Sequence, residues 1–209
     1  MKLGEIKIEA LKLMFANYNH DITIADIGQY YLDETYGSYL INMPGAINRC
    51  LSVIENKDIL PSKRKVLEPS MGLASGNFIR FDLFAIIPDL YLIDRIVREG
   101  ENGEYCGNYE YQLEGDNLVL VNDNARYIVV YKPQAVRITQ DSADEVELDI
   151  PNNIACHIPY FIKGDLFRED EPNEASEARN WFEQAMAEIQ IRQAGLTNKV
   201  ENVYSQADY

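Results

Sequence analysis

The sequence predicts an α+β protein: a helical bundle built from the N- and C-terminal segments, with a small antiparallel β-sandwich or barrel-like unit inserted between them. Three observations carry this prediction. Apolar residues recur at helical spacing up to about residue 62, the period drops to two from Lys65 to about Thr139, and the helical period returns after Pro151. Residues 1–62 together with 150–196 form the predicted bundle, 63–149 the inserted β unit, and 197–209 a flexible C-terminal tail.

Leu3, Ile6, Ala10, Leu13 and Met14 place one apolar face on a helix over 3–16. A second helix starts near Thr23 or Asp26, where acids suit a helix start, and runs through Ile27, Tyr30 and Tyr31 to about Asn42. Pro44 should kink it or open a third helix with Ile47, Cys50, Leu51 and Ile54, and Pro61 closes this section. The stretches YLIDRIV, NYEYQLEG, NLVLV and RYIVVYKP are rich in β-branched and aromatic residues, as in about five to seven short strands. EGDN (114–117) and NDN (122–124) read as turns between antiparallel neighbours. Leu118 to Val121 are apolar on both faces, so that strand is expected to be central. Pro151 starts a helix whose stripe is Ile154, Ile158, Phe161, Ile162 and Leu166. A last helix follows Pro172, buries Ala178, Trp181, Phe182, Ala185, Met186 and Ile189, and ends at Gly195. The helical wall is thus predicted to pack through Ile154, Ile158, Ile162, Leu166, Trp181, Phe182, Met186 and Ile189.

With 46% hydrophobic and 25% charged residues, the 209-residue chain has the composition of a globular protein rather than a disordered one. No apolar run is long enough for a bilayer, and Met1-Lys2-Leu3 leads into an amphipathic pattern rather than a signal peptide, so no membrane partner is expected. Cys50, Cys106 and Cys156 are odd in number and form no CxxC, which suits free thiols in a reducing compartment. The net charge of −15 repels phosphate and disfavours a protein that grips nucleic acid; dispersed acid of this kind keeps a chain soluble.

Catalytic, cofactor-binding and metal-ligating signals are all missing from the sequence. His20 and His157 are the only histidines and stand at no metal spacing; His20 reads as a loop residue. His157 follows Cys156, so on a helix their side chains diverge and make no nucleophile–base pair; a packing histidine is the expectation. MGLASGN (71–77) lacks the phosphate-loop pattern and reads as a flexible loop. The turns at Asp116-Asn117 and Asn122-Asp123-Asn124 lack the spaced ligands of a calcium loop. The stretch IPYFIKGDLFREDEP holds Asp165, Glu169, Asp170 and Glu171. Pro172 breaks the chain directly after them, so they are expected to form the corner between two helices, with acids at the positive start of the second.

The order of these features resembles the head–tail adaptor (connector, or neck-ring) proteins of tailed bacteriophages. The likeness runs from about residue 3 to 190, through AINRCLSVIENKDIL, LFAIIPDLYLIDRIV, YQLEGDNLVLV and RYIVVYKPQAVRIT to LDIPNNIACHIPYFIKGDLFREDEPNEASEARNWFEQAM. It implies a non-enzymatic structural protein of the virion, made in the host cytoplasm. Its place would be a homo-oligomeric ring, commonly a dodecamer, between the portal protein and a tail or second neck protein. Double-stranded DNA would pass through without specific binding, past acidic residues that let it slide. The 14 tyrosines, clustered at 30–39 and 105–131, suit interfaces and equally suit a core. By the same resemblance, Leu196–Tyr209 is a candidate portal-docking arm through Val200, Val203, Tyr204 and Tyr209, the alternative being a frayed end. Two other readings stand beside the adaptor. One is a soluble enzyme or calcium-dependent binding module using the acidic turns of the β unit; the other is a capsid-decoration or tail-tube protein.

Overall fold

The two periods in the sequence become two kinds of structure. The computed structural model describes residues 1–15, 22–99, 105–108 and 111–205, with side chains described for 1–15, 22–99 and 111–193. The fold is mixed α+β, with helices and antiparallel sheets in two compact units, Met1–Ile59 with Ala135–Tyr209, and Leu60–Gln134. The return crossing lies at Gln134/Ala135 rather than near residue 149. Residues 135–150 rejoin the helical unit because their backbone is tied there. Leu3 N–H donates to Val146 O and Gly4 N–H to Asp144 O, both at 2.8 Å, and Asn48 bonds both the N–H and the C=O of Ile138.

In the helical unit α1 (Leu3–Met14) buries Leu3, Ile6, Ala10 and Met14, as the spacing predicts, while Leu13, expected on that face, is half-buried and Leu11 is buried as well. The predicted second helix is shorter, a 3₁₀ turn at Ile24–Asp26 followed by α2 (Ile27–Tyr30). It stops because the Asp33 carboxylate accepts from the N–H groups of Thr35 (2.8 Å) and Tyr36 (3.0 Å), offering the backbone an alternative to the helix. α3 (Gly37–Asn56) then continues through Pro44, which opens no new helix. The proline forfeits its own helical hydrogen bond, and burial of Leu40, Met43, Ile47, Cys50, Leu51 and Ile54 along the same helix offsets that loss. The helix predicted from Pro151 is divided into α5 (Asn152–Ala155) and α6 (Ile158–Leu166), since Pro159 has no N–H to continue the ladder and occupies the first turn of α6 instead.

α6 is the hub of this unit, packing against α1, α3 and α7 (Pro172–Ser205). Ile158, Phe161 and Ile162 are buried on it, and Phe161 meets Phe182 of α7 edge-on, centroids 5.1 Å apart. At Gly164 a Cβ would stand 3.1 Å from Ala175 O, so glycine permits the close approach of α6 and α7. The buried stripe of α7 is Ala175, Ala178, Phe182 and Met186. Trp181, expected on that stripe, is 64% exposed, because at 100° per residue it lies to one side of the Ala178–Phe182 line. Leu166 and Ile189 are half-buried. α7 continues past Gly195 to Ser205 instead of ending there; one interior glycine costs only about 1 kcal/mol, too little to stop a long helix. Residues 197–205, expected as tail, are therefore helical, and 206–209 lie outside the described residues.

In the β unit, β1 (Lys63–Leu67), β8 (Tyr127–Pro133), β4 (Leu90–Glu99) and β5 (Tyr105–Asn108) form one sheet in the order β1-β8-β4-β5. A second sheet has the order β2 (Leu73–Ser75), β3 (Phe78–Asp82), β7 (Asn117–Val121), β6 (Gln112–Glu114). Short α4 (Leu83–Ile86) follows β3, its start capped by the Asp82 carboxylate, which accepts from Ala85 N–H at 3.0 Å. Every strand pair is antiparallel among the described residues. Alternation sends Leu67, Ile79, Phe81, Ile96, Leu118, Leu120, Tyr127, Val129 and Tyr131 into one apolar core shared by both sheets. β7 lies between β3 and β6, the central place its apolar run predicts. EGDN closes the β6–β7 hairpin, with Gly115 at φ +59 in the position where a two-residue turn takes glycine. MGLASGN is no loose loop: it contains β2 and the β2–β3 hairpin turn. NDN is no hairpin either. It carries the chain from one sheet to the other, since β7 pairs with β3 and β6 while β8 pairs with β1 and β4.

Candidate interaction surfaces

The acids that looked most like a site are committed to structure. Asp165, on α6, accepts from Arg49 of α3, Nε at 3.0 Å and a terminal nitrogen at 2.5 Å. Asp170 in the corner accepts from the Tyr39 hydroxyl; burial and that hydrogen bond push the tyrosine pKa up to about 12. Glu169 and Glu171 are exposed and converge on nothing described. Lys163 ties α6 to both neighbours, donating to Leu13 O (2.7 Å) and to Glu174 (2.6 Å). The acid-rich run at 141–149 is also a tie. Asp144 pairs at 2.6 Å with Lys7, whose side chain is 1% exposed and which also donates to the Tyr31 hydroxyl at 3.0 Å. Burial works against the Lys7 charge, yet these hydrogen bonds hold its pKa above the usual lysine range.

Cys156 and His157 do not make a reactive pair. Burial raises the thiol pKa of Cys156 and lowers that of His157, so both are neutral at pH 7. They line an open cleft of about 460 Å³ on the helical unit with Trp181, Gln184, Glu188 and Arg192. Cys50 is buried, Cys156 exposed, and neither is in a disulfide. His20, Tyr209 and the side chains of Cys106, Val200, Val203 and Tyr204 lie outside the described residues; the backbone at 200, 203 and 204 is helical.

Of the acidic turns of the β unit, the one at Asn122 to Asn124 is likewise committed to structure. Asp123 accepts from the Tyr127 hydroxyl (2.6 Å), Arg98 Nε (2.6 Å) and Ala125 N–H (3.2 Å); its burial is outweighed, and its carboxyl lies below the usual range. Among the described residues no three His, Cys, Asp or Glu side chains gather as a metal site would need. No described helix is long and apolar enough to cross a membrane.

The β unit also exposes large apolar side chains. An open groove of about 220 Å³ is lined by Leu83, Phe84, Leu90 to Ile93, Tyr111, Leu113, Gly115 and Asp116. Phe84, Tyr91, Leu92, Tyr111 and Leu113 are each 40–55% exposed there. Two register shifts in β4, between Leu90 and Leu92 and between Ile93 and Arg95, interrupt its pairing with β8 beside this groove. Across the same unit Leu73, Phe78 and Val121 are also exposed, and Phe78 is the cross-strand partner of Val121. The sequence carried a partial signal for the groove in its tyrosine cluster at 105–131. Tyr111 lines the groove, whereas Tyr127 and Tyr131 are core. Phe84, Leu92 and Leu113 had no signal, since alternation cannot tell an outward apolar position at an edge from an inward one.

No protein-family model matches this chain, and no curated protein matches it.

Proposed function

We propose that this chain is a virion structural protein, a head–tail adaptor that joins a ring beneath the portal, continues the DNA channel and links capsid to tail. The observation that carries the reading is the division of labour between the units. In the helical unit Arg49–Asp165 and Lys163–Glu174 tie α6 to its neighbours, while the β unit holds nine of the fifteen large apolar side chains exposed among the described residues. Exposed apolar faces of this kind suit docking to other proteins, and among the described residues no acid, base and nucleophile converge. The charge supports it too. The helical unit has 23 acidic against 11 basic residues, net −12, and the β unit 11 against 8, net −3, together the −15 of the chain. A strongly acidic helical wall repels a passing duplex rather than holding it.

The test is co-assembly with candidate portal and tail proteins, imaged by electron microscopy. A ring of this chain seated between portal and tail is the expected result. Failure to join either neighbour would remove the reading. A chain truncated after Gly195 tests the docking arm: unchanged portal binding would rule out Val200, Val203, Tyr204 and Tyr209.

A further inference from the structure

We infer that the cleft where α6 meets α7 is a docking site for a carboxylate, presented by an acidic side chain of a partner protein and held by Arg168 and Arg179. The inference does not depend on the adaptor reading. The cleft is open, about 460 Å³, and is lined by Gly164, Asp165, Arg168, Ala175, Ser176 and Arg179. Gly164 brings the two helices together there, since a Cβ at 164 would stand 3.1 Å from both Ala175 O and Arg179 Cβ. Asp165, the acid of this lining, is engaged by Arg49. Arg179 is held in place: its Cζ lies 4.0 Å from the centroid of the buried Phe161 ring. Its acid contact is Glu183 at 3.6 Å, and Glu183 is held more closely by Lys57, at 2.8 Å.

Arg168 is the anomaly. Of the ten basic side chains described in the helical unit, nine pair with an acid, and Arg168 has no partner among the described residues. Yet this unit carries 23 acids against 11 bases, so partners are not scarce. An exposed arginine left unpaired in so acidic a unit, lining a cleft with a second arginine, has charge and a full fork of N–H donors to spare. Such forks match a carboxylate, whose two oxygens accept paired N–H···O bonds. The unit's net charge of −12 opposes every further negative charge. A singly charged carboxylate is therefore admitted ahead of a phosphate dianion, and a nucleic-acid backbone is disfavoured. The cleft is too open to enclose a free small molecule, whereas an acidic side chain arrives already held by the protein that carries it.

The arginine Nε–Hε NMR signals of the full-length chain read this contact directly. The probe is a capped Ala-Glu-Ala tripeptide, with capped Ala-Gln-Ala, acetate and inorganic phosphate as comparisons at constant ionic strength. The glutamate peptide should shift the Arg168 and Arg179 signals saturably. Its glutamine counterpart, equal in shape but uncharged, should leave them in place, and phosphate should bind more weakly than the glutamate peptide. Arg168→Gln should weaken the glutamate peptide at least about fivefold, read at Arg179. The variant loses no internal contact, and its remaining arginine signals should stay where they are in the parent, which verifies its fold. A shift that does not saturate, an equal response to the glutamine peptide, phosphate binding as tightly as the glutamate peptide, or an Arg168→Gln chain that binds like the parent would each overturn the site. Acetate saturating the two signals where the glutamate peptide fails would overturn the protein-borne source of the carboxylate.

Discussion

The helical unit and the β unit solve the same problem in opposite ways. The helical unit is made of two distant stretches of chain, and its stability depends on bringing them together: α6 against α1 and α3, Lys7 against Asp144, Asn48 against Ile138. The β unit is one continuous stretch, Leu60–Gln134, with its core shared by two sheets, and it leaves large apolar side chains outside. One unit closes upon itself with charge; the other remains open with grease. The difference teaches that exposed apolar surface here is not a by-product of a small core, because Ile79, Phe81, Leu118 and Leu120 fill that core and are all nearly inaccessible.

The sharpest way to break this comparison is to empty one core and watch the other. Phe182→Ala should cost about 3–5 kcal/mol and lower the unfolding midpoint of the helical unit. Trp181, the sole tryptophan, reports that unit by fluorescence. If thermal unfolding followed by tryptophan and by sheet dichroism moved together, the two units would be one cooperative block and the contrast would fail.

Next comes Lys7→Ala. The buried ammonium leaves Asp144 and Tyr31 behind, and the quarter exposure of Asp144 softens the loss to about 2–4 kcal/mol, measured by urea unfolding. A loss below half a kcal/mol would mean the 141–149 segment is not held by this ion pair.

Acid gives a smaller and more selective effect. For Asp89 burial pulls its pKa upward, but hydrogen bonds from Lys63 and Tyr131 win, leaving it below the usual aspartate value, as for Asp123. Both therefore contribute stability above the unfolded pKa of about 4, lost as pH falls through the lower folded value. His157 works at higher pH in the helical unit: burial lowers its pKa, so below about 6.5 the unfolded state binds the extra proton and stability falls with pH. His157→Gln should flatten the tryptophan-monitored stability profile between roughly pH 5 and 7 while leaving the β-unit profile below pH 4 in place. An unchanged helical profile would show that His157 is not the group responsible.

The smallest effect on stability is expected at the groove. Tyr111→Ser and Leu113→Ser remove exposed apolar surface, so each should leave stability within about 0.5 kcal/mol by urea titration. A large loss from either would place the groove in the core of the unit rather than on its face.

Much of the fold was legible because burial enforces period. α1, the strand block and the apolar stripes that hold Phe161 and Phe182 all follow from where apolar residues recur. The misreadings share a cause, which is that a local signal names a conformation but not a partner. Pro44 has a real local cost, yet the buried face of α3 outweighs it. Asn122 to Asn124 do turn the chain, but a turn does not say whether the next strand joins the same sheet. Trp181 is apolar and one residue from the buried Phe182, and only the rotation of α7 against α6 decides which of the two faces inward. The acidic corner was legible as architecture, though not its partners Arg49 and Tyr39, which lie on a helix more than a hundred residues earlier.

The central place of α6 also dictates an order of birth. A ribosome delivers α1 and α3 first, yet their apolar faces have no α6 to meet until more than a hundred residues later, whereas every strand of the β unit is already available once Gln134 has emerged. The middle of the chain should therefore mature before its beginning. Nascent chains stalled with residues 1–140 outside the tunnel are expected to yield a protease-resistant fragment from the β unit alone, and the helices should become protected only when α6 and the start of α7 are free.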